Sequence, residues 1–251
     1  MEKKYKLTDE TINLCGKKLF RIKALKDFED VKKGDKGGFI EDEHNLSHDG
    51  NSWVYGDACV CGDSMVYCNA RVYDNAMVYG NARVCGDAMV YGDARVYGNA
   101  WVYGNAMVYG NAMVCDNACV CGDACVYGNA RVYGNAWVYG NAMVCGNACV
   151  YGDARVYDNA WVYGNAWVYG NAWVYGNAKI ENNFDYIVFK NWWSSGRCFT
   201  WTRSNDMWKV GCFYGTGEEL IKKAYKDSEF SGRQYERIVK YVEEIKKENG
   251  K

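Results

Sequence analysis

From Trp53 to Ala178 the chain repeats one hexapeptide, x-Val-Tyr-Gly-(Asn/Asp)-Ala, 21 times without an insertion or deletion. Val fills the second position of every unit, from Val54 to Val174, and Ala fills the sixth everywhere except at Ser64. A short fixed period of this kind belongs to solenoids, in which each unit buries its apolar side only against neighbouring units. Side chains alternate along a strand, so Ala and Val, two apart across the variable residue, point inward together. The variable residue and Tyr then point outward. Gly and Asn/Asp tolerate left-handed backbone and make turns, so each unit reads as a short strand and a corner. The Val/Ala core is thin. Coil-to-coil hydrogen bonds, Asn ladders at the corners and stacked outward side chains are therefore expected to carry much of the stability.

An aliphatic residue followed four places later by a small one, as at Val54 and Ala58, Val60 and Ser64, and Val66 and Ala70, resembles the hexapeptide pattern of left-handed parallel β-helices. The Tyr or Cys after the aliphatic departs from that pattern. The resemblance implies a mainly β fold with three units per triangular coil and about seven coils, so every third unit shares a face. The first face starts with Trp53, Arg71 and Met89, and the second with Cys59, Met77 and Arg95. The third carries Met65, Arg83, Trp101, Cys119, Trp137, Arg155 and Trp173 beside Tyr67, Cys85, Tyr103, Cys121, Tyr139, Tyr157 and Tyr175. No column puts two Arg on neighbouring coils and no corner puts two Asp there, as expected if like charges about 4.8 Å apart repel.

The flanks differ in composition, which divides the chain into an N-terminal β cap (1–52), the β-helix (53–178) and a C-terminal α+β domain (179–251). In the cap, Tyr5 to Leu7, Thr11 to Leu14 and Lys18 to Leu25 read as strands with a turn at Cys15-Gly16-Lys17, residues 33–41 as a Gly-punctuated loop, and Ser47 to Ser52 as a degenerate unit with His48 inward. After the array, strands are expected at Tyr186 to Lys190, Cys198 to Ser204 and Met207 to Tyr214. Helices follow at about 218–227 and 232–248, opened by capping-box spacings at Thr216/Glu219 and Ser231/Gln234 and stopped by Gly250. Together with Lys-Gly-Asp-Lys-Gly-Gly-Phe-Ile and Gly-Cys-Phe-Tyr-Gly-Thr-Gly-Glu-Glu-Leu-Ile, the array resembles a family of repeat proteins carried by low-GC Gram-positive bacteria and their phages.

The residue inventory bounds function. With 30 basic and 31 acidic residues the net charge is -1, which argues against a nucleic-acid binder. The array's Arg and Asp contents are also too balanced for a DNA mimic. The opening MEKKYKLTDE lacks the apolar run of a signal peptide and no segment approaches membrane-spanning length, so a cytoplasmic location is expected and membrane partners are not. The 13 Cys are expected as free thiols, without metal or other cofactor, because no Cys column stacks two Cys on adjacent coils. Hexapeptide-repeat acyltransferases resemble this pattern but use a catalytic His, often near an inserted loop. Here the His residues are His44 and His48, both ahead of an uninterrupted array, so no catalytic residue is assigned.

The expectation is a non-catalytic structural or binding protein, a phage or prophage accessory whose rod positions a partner-binding end and blocks a host factor. Alternatives are an acyl-CoA-dependent acyltransferase and an aromatic platform for carbohydrate. The outward Tyr and Trp are expected to pack prisms side by side, with Trp101, Trp137, Tyr103 and Tyr139 as the oligomer face and a trimer implied by the resemblance. Trp161, Trp167 and Trp173 form a collar under the C-terminal domain. In that domain Trp192, Trp193 and Arg197 of the loop, with Trp201 and Arg203 of the next strand, are the candidate residues for a protein partner, because Trp and Arg dominate binding hot spots.

Overall fold

The structure, a computed structural model, describes residues 2–249. Each Val of the array pairs in parallel with the residue 18 positions on, from Val54 with Val72 to Val162 with Ile180, so three hexads close one turn. The result is a parallel β-solenoid of three sheets with 10, 8 and 7 strands. One strand per turn in the eight-stranded sheet gives about eight turns. Val and Ala of every unit are fully buried. Within a unit the N–H groups of the first, third and fifth residues each donate to a carbonyl of the next coil, as in Cys59 to Ala76, Tyr55 to Val72 and Asp57 to Asp74. All of these donors point toward the C-terminal end and all acceptors toward the N-terminal end.

Only the fourth residue of each unit takes a positive φ. It is +72° at Gly80 and +73° at Gly104, where an added Cβ would lie 3.0 Å from the backbone of the glycine one coil on. Cys68, Asp74, Asp116 and Asp158 stand at this position without Gly. The Asp74 and Asp116 carboxylates compensate by accepting the N–H of Gly92 and Gly134 at 3.1 and 3.2 Å. The fifth residue has a separate task. Its amide donates to the side chain one coil on, giving the runs Asn81, Asn99, Asn117, Asn135, Asp153 and Asn111, Asn129, Asn147, Asn165 at 2.9–3.1 Å. A carboxylate accepts in such a ladder but cannot donate onward, so an Asp ends a run and two in succession would leave two acceptors facing each other.

The parallel ladder reaches past the array at both ends. Strand β3, Lys36–Ile40, pairs through Phe39 and Ile40 with Cys59 and Val60, and Lys179–Ile180 pairs with Trp161 and Val162. The expected loop over 33–41 is thus largely a strand. It fits because Gly37 and Gly38 press on the next coil, where a Cβ on Gly38 would meet the Ala58 carbonyl. The degenerate unit also differs from expectation. Its inward residue is Leu46, bridged to Val66, and the corner between Leu46 and Ser52 holds two more residues than the corner between Val54 and Ala58. The longer corner swings His48 out to stack on Tyr5, with ring centroids 4.3 Å apart. Strands β1 (Tyr5–Leu14) and β2 (Lys17–Ala24) form the expected hairpin and extend the ten-stranded sheet through β3. Trp53, counted outward in the sequence, is buried because Tyr5 and Phe28 pack edge-on against it.

After the solenoid, Tyr186–Lys190, Cys198–Thr202, Met207–Val210 and Phe213–Gly215 make a four-stranded antiparallel sheet in that order. Helix α1, Gly217–Asp227, opens on the expected Thr216/Glu219 capping box, with both reciprocal bonds formed. Helix α2, Glu229–Asn249, begins earlier than expected. Ser228 rather than Ser231 caps it, its hydroxyl accepting the Ser231 N–H at 3.1 Å. The expected stop at Gly250 lies outside the described residues.

The two ends are closed by opposite chemistry, as the uniform hydrogen-bond direction requires. At the N-terminal end donors meet open carbonyls: the fully buried Lys4 ammonium donates to Ser52 O at 2.8 Å, and the Tyr5 hydroxyl to Leu46 O at 2.7 Å. At the C-terminal end acceptors meet open N–H groups. Asn183 Oδ1, Thr200 Oγ1 and Ser204 Oγ accept from Trp167, Trp173 and Lys179 N at 2.8, 2.9 and 2.7 Å, one on each face.

Candidate interaction surfaces

The outward columns stack from coil to coil. Tyr91, Tyr109 and Tyr127 lie ring over ring at 4.8 and 4.9 Å, and Tyr133 and Tyr151 at 4.9 Å, the spacing of adjacent strands. On the third face the cations join the stack. The Arg83 guanidinium lies 5.1 Å from the Trp101 ring centroid, and Arg155 lies between Trp137 and Trp173 at 5.9 and 5.0 Å. Such contacts hold the rings rigid while leaving their outer edges in solvent. Trp101 and Trp137 remain 43% exposed, with Tyr103 and Tyr139 half-buried beside them. The four residues expected on an oligomer face therefore share one surface.

The residues expected to capture a partner separate into two groups. Trp192 is 71% exposed, and Arg197 and Arg203 are exposed. Trp201 is buried with its Nε1 donating to Asp206 Oδ1 at 2.8 Å, and Trp193 packs edge-on to Tyr235 at 4.9 Å between ring centroids. Both faces of the strand Cys198–Thr202 are covered. Phe199 and Trp201 enter the domain's own core, and Thr200 and Thr202 are buried on the other side, where Thr200 bonds the last coil. The collar is likewise divided. Trp161 and Trp167 stay exposed, and Trp173 alone is half-buried against the domain. Within the C-terminal domain a groove of about 910 Å³ is lined by Phe184, Ile187, Trp201, Arg203 and Lys246.

The His residues sit in cap contacts. His44 Nε2 bonds Gly62 O at 2.8 Å and Nδ1 lies 3.2 Å from Asp42 Oδ1. Partial burial works against its charge, but the Gly62 carbonyl and then the Asp42 carboxylate raise its pKa. His48 Nδ1 accepts the Lys4 N–H at 3.2 Å, and its Nε2 is buried without a hydrogen-bond partner.

All thirteen Cys are free thiols. Burial pushes Cys59 up to about 11. In the Cys119/Cys121 pair the neighbouring Cys119 thiol lowers Cys121 against the effect of burial, and Tyr103 acts in the same direction. Among the described residues no cluster of three or more His, Cys, Asp and Glu is suited to a metal, and no helix is long and apolar enough to cross a membrane.

Parallel coils closed by opposite caps and lined outside by stacked rings define a β-solenoid repeat protein. A family profile described as YdcK Beta solenoid repeat matches the array at residues 70–86, 82–98, 88–104, 94–108, 100–116, 124–140, 148–164, 154–170 and 160–176, stretches about one turn long. No curated protein matches the chain.

Proposed function

We propose that this chain is a non-catalytic scaffold that works by protein association, with its rigid aromatic faces as the contact surface. The observation that carries the reading is the third face, where Trp101 and Trp137 stand 43% exposed in a strip locked by stacking with Arg83 and Arg155. Contiguous apolar surface of this kind on a soluble chain marks an interaction site. Pre-stacked side chains also lose little freedom on binding. The engagement of both His44 ring nitrogens supports the non-catalytic part. A bacterial or phage setting, with a host protein as the captured partner, follows from the sequence resemblance. Exposed Trp192, Arg197 and Arg203 at the far end are its contact residues.

The test combines light scattering of the purified chain with an acetyl-CoA turnover assay across amine and hydroxyl acceptors. Self-association without turnover is the expected result. Turnover abolished by His44→Ala or His48→Ala would overturn the reading.

A further inference from the structure

The caps cover two faces and leave the third open. On the second face the hairpin buries Cys59 and Cys61 under Leu19, with Ile12 and Leu14 beside Met77 and Tyr79. On the first, Phe28 packs on Trp53, Asp30 accepts the Tyr55 hydroxyl, and Glu29 pairs with Arg71. The third begins at exposed Met65 with nothing over it. At its other end the C-terminal domain overhangs it. Lys209 lies over the Tyr157, Trp173 and Tyr175 rings, and Tyr157 is only 7% exposed. The open strip therefore runs from the Met65 row to the Arg155 row and is bounded by an overhang at one end only.

We propose that this strip is an antiparallel homodimer interface, with the twofold axis crossing it midway between the Trp101 and Cys119 rows. The proposal rests on the self-association reading and specifies its face, orientation and register. Orientation follows from the overhang. A parallel pair would set two projecting domains against each other, whereas an antiparallel pair lets each pass beyond the partner's Met65 end. There it meets the row of Leu46 and the Asp42–Glu43 turn, whose carboxylates pair within the cap with His44 and Lys3.

Register follows from the side chains. With the axis so placed, Arg83 faces the partner's Trp137, Arg155 the partner's Met65, and Trp101 the partner's Cys119. Every guanidinium meets an apolar or aromatic surface. A shift of half a row, onto Cys119, would oppose Arg83 and Arg155 as like charges in a desolvated contact, which disfavours that register. Six rows about 4.8 Å apart and a width of about 15 Å bury about 900 Å² in total, at the small end of specific interfaces, so a micromolar dimer is expected.

Trp101→Glu and Trp137→Glu test the geometry as a matched pair. Within the chain each introduced carboxylate neighbours one Arg on the adjacent coil, Arg83 or Arg155, so the cost to the monomer is similar. Across the interface they differ. The carboxylate at 137 faces the partner's Arg83, and the one at 101 faces the partner's Cys119 with no counter-charge. Sedimentation equilibrium should show Trp101→Glu weakening dimerisation at least ~10-fold more than Trp137→Glu. Equal losses would point to a parallel pairing, and the reverse order to a register shifted by one row. Either result overturns this geometry while leaving self-association standing. A wild-type monomer at about 100 µM would overturn both.

Discussion

Changing Asn135 to Asp tests whether the corner ladders stabilise the solenoid. Asn135 accepts from Asn117 at 3.1 Å and donates to Asp153 at 3.0 Å. The substitution keeps the first bond, removes the second, and sets two carboxylates face to face. Loss of a hydrogen bond costs about 0.5–1.5 kcal/mol. Two charges about 4 Å apart in a solvent-exposed corner repel by about 1 kcal/mol, so the expected loss is about 2 kcal/mol. Asn129→Asp is the control, since it accepts from Asn111 and donates to Asn147, both uncharged amides, and it should cost about 1 kcal/mol or less.

Urea unfolding followed by far-UV circular dichroism would compare the two variants at pH 7, in about 1 M salt, where screening acts within about 3 Å, and near pH 3.5. A carboxyl forced beside another carboxylate titrates above its unfolded value, so its penalty is absent below about pH 4 and grows as pH rises through the folded value. The excess cost of Asn135→Asp should shrink in salt and vanish in acid. Equal midpoints for the two variants at pH 7 and low salt would refute the view that Asp is confined to the ends of ladder runs by electrostatics.

Deleting residues 101–118 removes one full turn and should leave a folded, shorter protein with its ends in their original relation, whereas deleting one hexad, 101–106, should keep each end on its own coil and turn the C-terminal domain by about a third of a turn relative to the N-terminal cap. Loss of folding by the 101–118 deletion in a thermal melt would contradict the three-hexad turn. Thr200→Val leaves the Trp173 N–H without its acceptor and should cost about 1–3 kcal/mol, measured by urea unfolding; a change within ±0.5 kcal/mol would remove the cap from that side chain. Trp193→Ala should lower the melting temperature through lost packing on Tyr235 and Phe199, while Arg197→Ala should not; the opposite order would return Trp193 to the surface. Burial lowers Lys4 from 10.5 to about 8. The unfolded chain then binds more protons between those values, and this group makes stability rise with pH across that window. Subtracting the pH profile of Lys4→Met from that of the wild type isolates the rise from groups such as Cys59, whose contribution is present below 9 and lost toward about 11. Parallel profiles would refute the burial of a charged Lys4.

Much of this protein was legible in the sequence because a hexad states its own geometry. Val and Ala two apart can only share the inside, Gly marks the left-handed corner, and unbroken repetition leaves no room for a cleft. The columns, including the third face with Trp101 and Trp137, follow from counting by three. The Thr216 cap was equally readable, since its partners lie three residues apart.

What failed was each judgement that depended on distant residues. His48 occupies the Val position in the hexad count, yet a longer corner hands the inside to Leu46. Trp53 matches every other outward residue, but the cap covers it. Trp193 and Trp201 look like a hot spot, but Trp201 is core, because its strand is covered on both faces, and the loop residue Trp193 packs half-buried on Phe199 and Tyr235. Local sequence by itself determined the repeat, its inside and its outside. Only the tertiary structure decided how the ends close, since parallel coils leave donors at one end and acceptors at the other, and the groups that satisfy them, Lys4 and Tyr5 or Asn183, Thr200 and Ser204, lie 16 to 48 residues away from their partners.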